Sequence, residues 1–559
     1  MASNGMLRAM PPASQEVRVA AIDIGTNSLH MVLAAVDQQL RSFSVLLTEK
    51  ASVRLGQRDP ETGDLTSQAM ERAMQALNHY RQLAESHGAH AVVGVATSAV
   101  REAGNGREFL ALVERKLGLP VDLVNGREEA RLIYLGVLSA MDFGGAPHLI
   151  LDIGGGSTEL ILADSHDTRS LSSLRVGAVR LTQDFGVHGP LPAERVQFLK
   201  TFIQGMLEPA VYKVQQRLAA GESPVLVCTS GTAMAVGSLL AFRLGITRPS
   251  LNGLRFSLGH VQELMRELVI LDMEQRRQLP GLSERRADII VTGGLILETA
   301  MERLNIQEMV LCKRALREGL IVNWMLRHNL IVDRFSYQSN IRQRTILHQA
   351  RKYGVDSERA ERVARHALIL FDACRRNLDP MVAEARELLW GAAMLHACGR
   401  HISSVGGYHK HSWYLVRHCT LLGYSEAEHL ILAALVRYHR RSPPRKRHEA
   451  WLSLQDGGQQ RCVQQLSPLL RIAVALDCRP QAVIEHLDVV STARRMTIQL
   501  TPFPGANVSL ECWSLDNCRG EIEPGLGHDL RVEVMEAPPG TTEAGEPPLF
   551  LVTGSEPGT

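Results

Sequence analysis

The sequence predicts an α/β protein of two related lobes, followed by an all-α domain and a small β-rich C-terminal module. Three observations carry this. A strand, a glycine turn and a second strand occur twice in the first half, at Val17–Val36 and at Leu149–Leu162. Around both copies, short apolar β-branched runs alternate with amphipathic helical runs, which is what α/β lobes require. From about Asp333 to Asp477 the pattern is helical with few strand signals, and strand-like alternation returns from about Ala482. The division that follows is a disordered start at 1–16, lobes at 17–140 and 141–330, a helical domain at 331–481, a β-rich module at 482–536 and a disordered tail at 537–559.

The second hairpin reads Leu-Ile-Leu-Asp-Ile-Gly-Gly-Gly-Ser-Thr-Glu-Leu-Ile-Leu. Gly154, Gly155 and Gly156 allow positive φ and clear every Cβ from the loop surface. Backbone N–H groups there can converge on an anion, with the hydroxyls of Ser157 and Thr158 beside them. In the first hairpin Asp23-Ile24-Gly25 repeats Asp152-Ile153-Gly154, and Ser28 falls at the offset of Ser157, so Gly25, Thr26, Asn27 and Ser28 form the matching loop. Two loops in register suggest two lobes that each offer a phosphate site to a shared cleft. Asp152 ends the strand entering its turn, and Glu159 starts the strand leaving it. Carboxylates beside an anion nest repel the ligand, unless a metal ion or an attacking water lies between them.

Thr66 to Gly88 reads as a helix with Met70, Met74, Leu77 and Leu83 on one face, and Ala91-Val-Val-Gly-Val-Ala as a buried strand. Arg101 follows that strand end, where open α/β sheets place ligands. Gly126-Arg-Glu-Glu-Ala-Arg opens a helix, and acidic residues are favoured there by the helix dipole alone, so the residues do not choose between Glu128 and Glu129. Val225-Leu-Val-Cys-Thr is a strand entering Ser230-Gly231-Thr232, a turn with free N–H groups at a helix start. Gly293-Gly294 has two readings, a glycine pair that approaches adenosine, as in nucleotide-binding relatives of such a fold, or helix–sheet packing, which is favoured.

Composition bounds the rest. The chain has 559 residues, 45% hydrophobic and 21% charged, with a formal net charge of +2, so any polyanion contact must come from local clustering. Nine scattered cysteines form no Cys-x-x-Cys pair, which suits a reducing compartment. No apolar run spans a bilayer and the first residues lack a signal core, so a cytoplasmic protein without membrane contact is expected.

Together with the two loops, Ala96-Thr-Ser-Ala-Val-Arg101, Gly126-Arg-Glu-Glu-Ala-Arg-Leu-Ile-Tyr134, Ser230-Gly-Thr232 and Leu316-Arg-Glu-Gly319 resemble the exopolyphosphatase / guanosine pentaphosphate phosphatase (PPX/GppA) family. The resemblance covers roughly Val17 to Asp477. It implies two actin-like, ribonuclease H-like lobes of the ASKHA superfamily and an HD-like helical domain. It aligns Glu129 with the proposed general base and implies that Arg101 contacts phosphate. It further implies Mg2+, K+ stimulation and a homodimer. Cys312-Lys313-Arg314, before Leu316, departs from the small or acidic residue and glycine usual there.

His366, His396 and Asp477 fall where an HD-type domain carries metal ligands, but Ala397 breaks the His-Asp pair. Losing that bridging carboxylate argues against two-metal hydrolysis, so these histidines are read as structural or ligand-lining. Two clusters suggest a track for a polyanion: His409, Lys410 and His411, and the turn-rich run with Arg437, Arg440, Arg441, Arg445, Lys446 and Arg447. No aromatic-rich surface lies near them, which disfavours nucleic acid. Arg495–Leu500, Ala506–Trp513 and Leu530–Met535 read as strands, and Leu549–Val552 is a short apolar stretch in the tail.

The expected function is exopolyphosphatase: Glu129 takes a proton from water, Glu159 holds that water or the metal's shell, and Asp23 and Asp152 are outer metal contacts. Phosphates would lie on Ser28, Arg101, Ser157, Thr158, Ser230, Gly231 and Thr232 and on the glycine loops. Guanosine pentaphosphate (pppGpp) hydrolysis uses the same groups. A non-catalytic polyphosphate or alarmone sensor is the reading from another class; a binder gains nothing from carboxylates facing phosphate.

Overall fold

The computed structural model describes residues 5–6 and 16–535, apart from positions 60, 247–249, 329, 332–340, 381, 383–384, 420, 422, 425, 455, 493–494 and 528. The expected disordered tail, with its apolar stretch 549–552, lies outside the described residues, as does the start up to 15 apart from 5–6. The chain forms two compact units, Met1–Val355 with Cys398–Ala433 and Asp356–Ala397 with Ala434–Thr559.

The first unit holds two six-stranded sheets. One contains β1 (Gly5–Met6), β2 (Val17–Ile24), β3 (Ser28–Asp37), β4 (Ser42–Ser52), β5 (Ala91–Ala96) and β6 (Val121–Leu123). The other contains β7 (His148–Ile153), β8 (Thr158–Ala163), β9 (Thr168–Leu174), β10 (Val225–Thr229), β11 (Arg255–Ser257) and β12 (Glu308–Leu311). In the first sheet β2, β3 and β4 form an antiparallel meander, β5 adds parallel to β2, and β6 adds parallel to β5. In the second, β7, β8 and β9 form the meander, β10 adds parallel to β7, and β12 adds parallel to β10. The same order in both sheets is the actin-like, ribonuclease H-like topology. Each repeated glycine hairpin is the first hairpin of its sheet.

Two helices, Gly126–Leu138 and Leu316–Arg327, share one apolar core with Val17 and Val19 of the first sheet and Ile150 and Ile161 of the second. The helix Ser67–Ser86 covers the first sheet with Ala69, Ala73, Leu77, Tyr80 and Ala84. That face is shifted from the expected methionine stripe, because the small alanines let the helix lie close while Met70 and Met74 are only partly buried. Gly293 and Gly294 are buried in the helix Ile290–Arg303, against Thr232 and Met265 of the helices Ser230–Arg243 and Leu258–Leu268, so the pair packs helix on helix and not helix on sheet as expected.

Among the described residues no strand occurs between β12 and Ile484. The helices of this region are divided: Ile341–Lys352 and Tyr408–His418 group with the first unit, and Ser357–Cys374, Arg386–Leu395 and Gly457–Ala475 with the second. The C-terminal module is a three-stranded sheet of β13 (Ile484–Ser491), β14 (Arg495–Pro502) and β15 (Asp529–Val534). The strand expected at Ala506–Trp513 is instead the start of a helix, Ser509–Leu526. Strands β14 and β15 are parallel neighbours, and a parallel pair needs a crossover that a hairpin strand cannot supply. Glu511, Leu515 and Ile522 form its buried face at helical spacing. Arg479 pairs with the fully buried Glu511 through Nε at 2.8 Å and Nη2 at 2.7 Å.

Candidate active site

The strand registers set the site. Asp152 stands directly across from Glu159 on β7 and β8, and Asp23 across from His30 on β2 and β3. Both hairpin turns open into one cavity of about 370 Å3. Its acidic lining is Asp23, Glu129, Asp152 and Glu159, and its cationic lining is Arg286, Arg317 and Lys313. The two loops touch. Thr26 Oγ1 lies 2.9 Å from Ser98 Oγ. A Cβ on Gly156 would come 2.6 Å from that Ser98 hydroxyl and 2.9 Å from Thr26 Oγ1. The three glycines are therefore present for close approach. None of Gly154, Gly155 and Gly156 has positive φ, contrary to the expectation from the run.

The helix bearing the two glutamates separates them. Asn125 caps it, accepting from Glu128 N–H at 2.9 Å, and Glu128 turns outward to Arg131. Glu129 is buried and lines the cleft. Arg101 does not itself line the cavity. Its Nη1 donates to Glu129 Oε2 at 3.0 Å and to Val124 C=O at 2.8 Å, so its guanidinium is engaged with the Glu129 carboxylate behind the cleft.

Other expected groups are placed as follows. Glu159 accepts from Ser173 Oγ at 2.7 Å, and the Ser157 hydroxyl also bonds it. Gly25, Asn27, Ser28, Gly231 and Thr232 line the cavity with Thr26, Gly154 and Gly155. Ser230 also lines it, with φ of 82° and its hydroxyl donating to Ile153 C=O at 2.8 Å. Thr158 corrects the sequence reading: its hydroxyl is buried and donates to Val176 C=O at 2.5 Å, away from the cleft. A β-strand alternates its faces, so Thr158 cannot share the side of Ser157 and Glu159.

Four carboxyl groups are buried together, and the electrostatics follow. Burial raises Asp23 to about 7, with Arg317 opposing and Glu129 and Glu318 adding. Burial, then Glu129 and Asp23, raise Asp152 to about 7. Glu129 is raised by burial against the opposing Arg101, and Glu159 well raised by burial and then by Glu129 and Asp152. His30 is pushed down to about 3 by burial and by Arg317, Lys50 and Arg286. Asp23 Oδ1 is buried with no hydrogen-bond partner among the described residues. An orphaned carboxylate oxygen beside three other carboxyls fits a hard divalent cation. No three of these side chains converge closely enough to hold one alone, among the described residues, so substrate oxygens and water would complete its shell.

Sequence reasoning missed three titratable lining residues, His30, Arg286 and Arg317. His30 follows Asp23 by the interval at which Glu159 follows Asp152, which laying the two hairpins side by side reveals. Arg317 lies inside the quoted Leu316–Gly319 segment. Arg286 comes from a short 3-10 turn, Glu284–Arg286, and lies against Gly231, where any Cβ would overlap its guanidinium.

The expected polyanion track divides between the two units. His409 is buried and Lys410 and His411 do not line the cavity of the cleft. In the second unit Arg441, Arg445, Lys446 and Arg447 are exposed, while Arg437 and Arg440 are half-buried. The residues expected at HD-type metal positions form no metal-ligand cluster among the described residues. The Asp477 carboxylate is taken by Arg359 Nε at 2.9 Å and Arg362 Nε at 2.8 Å. His366 is pushed down to about 4 by burial. Two guanidinium groups thus neutralise the carboxylate that a metal would need. Asp477→Ala is expected to destabilise the second unit by about 3 kcal/mol by stranding both arginines, read as a lower thermal midpoint with Mg2+ making no difference to the shift.

Two lobes of this topology that meet at paired glycine loops beside buried carboxylates define a protein of the actin-like class. The Ppx/GppA phosphatase family profile matches residues 31–328, and that of Ppx/GppA phosphatase domain III matches 341–517. The chain belongs to the Ppx/GppA phosphatase family, and so to the phosphohydrolases of exopolyphosphatase or GppA type. Among solved structures, an exopolyphosphatase from Cytophaga hutchinsonii is similar at 25% identity, with a TM-score of 0.51, over 56% of this chain and 99% of that one. An exopolyphosphatase-like protein is similar at 25% identity, TM-score 0.50, over 56% and 100%. The Ppx/GppA family member of Aquifex aeolicus is 28% identical over 56% and 99%, with a TM-score of 0.49. Among the described residues no helix is long and apolar enough to cross a membrane.

Proposed function

We propose that this protein is an exopolyphosphatase that removes the terminal phosphate of inorganic polyphosphate. One observation carries the choice of substrate. The cleft shares Lys313 and Arg317 with a second cavity of about 440 Å3, whose wall adds Arg344, Lys352 and Arg417. Its one carboxylate, Glu318, is engaged with the Ala315 N–H at 3.0 Å. A linear polyanion has a cationic path there beyond the phosphate loops, which a short substrate does not use.

In this reading the glycine loops, Ser28 and Thr232 seat the terminal phosphates, and Arg286 and Arg317 offset charge on the group in transfer. Glu129, turned toward the cleft and steadied by Arg101, accepts the proton of the attacking water. Glu159, fixed by Ser173, orients that water. Asp23, Asp152 and Glu159 would hold Mg2+, which when bound supplies charge neutralisation at the phosphate oxygens. Metal removal by a chelator is expected to lower phosphate release at least tenfold, with recovery on adding Mg2+ and a further rise on adding K+.

A second reading, hydrolysis of guanosine pentaphosphate, is favoured by one other cavity. About 350 Å3 in volume, it adjoins Thr26 and Asn27 and is lined by Gln57, Gln183, Arg277 and Asp288. Asp288 Oδ1 is buried without a partner among the described residues, and a carboxylate there suits the N–H edge of guanine better than a polyanion. Phosphate release from long-chain polyphosphate and from the pentaphosphate, measured side by side with Mg2+, decides between them. Preference for the nucleotide would overturn the polyphosphate reading.

A further inference from the structure

Lys313 and Arg314 stand where the resemblance leads one to expect a small or acidic residue and a glycine, and the structure gives the two cations different work. Arg314 is engaged within the fold. Its Nη1 donates to Ser139 C=O at 3.2 Å and to Ser139 Oγ at 3.0 Å, and its guanidinium lies 4.3 Å over the Phe43 ring. Lys313 follows β12, and its backbone N–H is fixed by Asn252 Oδ1 at 2.9 Å. Its side chain is exposed, and no ion pair holds its ammonium among the described residues. It lines both the cleft and the second basic cavity. Arg317 also lines both, but it sits on the carboxylate side, where it opposes the charge of Asp23 and Asp152.

We propose that Lys313 is a specificity-determining residue, holding the phosphate chain where the cleft opens into the second cavity and so favouring long chains over short ones. This rests on the polyphosphate reading above. A short chain is satisfied by the phosphate loops and does not reach this opening. A long chain must pass the ammonium group to enter the second cavity. A compact, strongly hydrated point charge on a flexible stem suits a track along which phosphates must slide, because it grips no single geometry.

The test pairs kinetics with binding. In Lys313→Ala, the ratio of kcat/KM for long-chain polyphosphate to that for tripolyphosphate is expected to fall about fivefold, the scale of one exposed charge contact. Lys313→Arg should restore most of the ratio. In a Glu129→Gln background, expected to cleave about 10^3-fold more slowly, the same change should weaken long-chain binding about fivefold. It should also reduce the slope of log affinity against log salt by about one. An equal change for both substrates, or an unchanged salt slope, overturns the proposal. If the native protein releases no phosphate from polyphosphate yet the binding differences persist, the hydrolase reading fails and the role of Lys313 stands.

Discussion

Glu129→Gln is expected to lower kcat for phosphate release about 10^3-fold while leaving KM within a few-fold, since a positioned general base contributes about 10^2–10^4. Gln keeps the shape and can still accept from Arg101, so the loss reports the missing base and not a collapsed site. The pH profile gives a second readout. Burial raises the Glu129 carboxyl and Arg101 opposes that rise. A base with a raised pKa is protonated and idle on the acid side, so the native rate should climb as pH rises through that value. Removing Arg101 takes away the opposing cation, and Arg101→Ala should move this acid limb to higher pH. In Glu129→Gln the limb contributed by this residue should vanish. Full phosphate release by Glu129→Gln would sink the assignment of the base. Absence of release from the native protein, with tight polyphosphate binding, would favour a sensor.

The parts of this site that were legible in the sequence are those built by local chemistry. Asp152, the glycines and Glu159 announce a hairpin, and the same spacing at Asp23 announces its twin. Glu128 and Glu129 were not separable from residues alone, because either suits a helix N-terminus. Burial separates them: one meets Arg131 and the other the cleft. Thr158 looked like a loop donor, but the strand begins at that residue and turns it inward. Arg286 was illegible because its place depends on a short 3-10 turn far along the chain from the Ser230–Thr232 turn it lies against. The strand order shared by the two sheets was implied only as alternation, since which strands neighbour one another is settled by tertiary packing. The stretch after Ala506 shows the limit most plainly: its short alternation matches a strand, and only the parallel pairing of β14 and β15 requires a helix there.

Gly319→Ala is expected to destabilise the first unit by about 3 kcal/mol or more and to lower kcat about 10^2-fold. The helices Gly126–Leu138 and Leu316–Arg327 cross with their backbones in contact. A Cβ on Gly319 would lie 2.7 Å from the carbonyl carbon of Leu132 and 3.1 Å from Gly136 N. A Cβ on Gly136 would lie 2.6 Å from the carbonyl carbon of Ala315. These obstacles are main-chain atoms, so no rotamer change relieves them and the helices must part. Within either helix alone, alanine would be favoured over glycine by about 0.5–1 kcal/mol, so the loss isolates the crossing. Activity falls with stability because one helix carries Glu129 near its start and the other carries Arg317 in its first turn. Gly136→Ala should behave alike, and the double variant should cost less than the two single losses added, because the first methyl already separates the pair. Gly205→Ala serves as the control. It lies exposed in the helix Ala193–Gln215, with open space around its Cβ position. That change should stabilise the protein slightly and leave kcat unchanged. Thermal melts and initial rates on the four variants test the argument, and a Gly319→Ala protein as stable as the Gly205→Ala control would refute the close crossing.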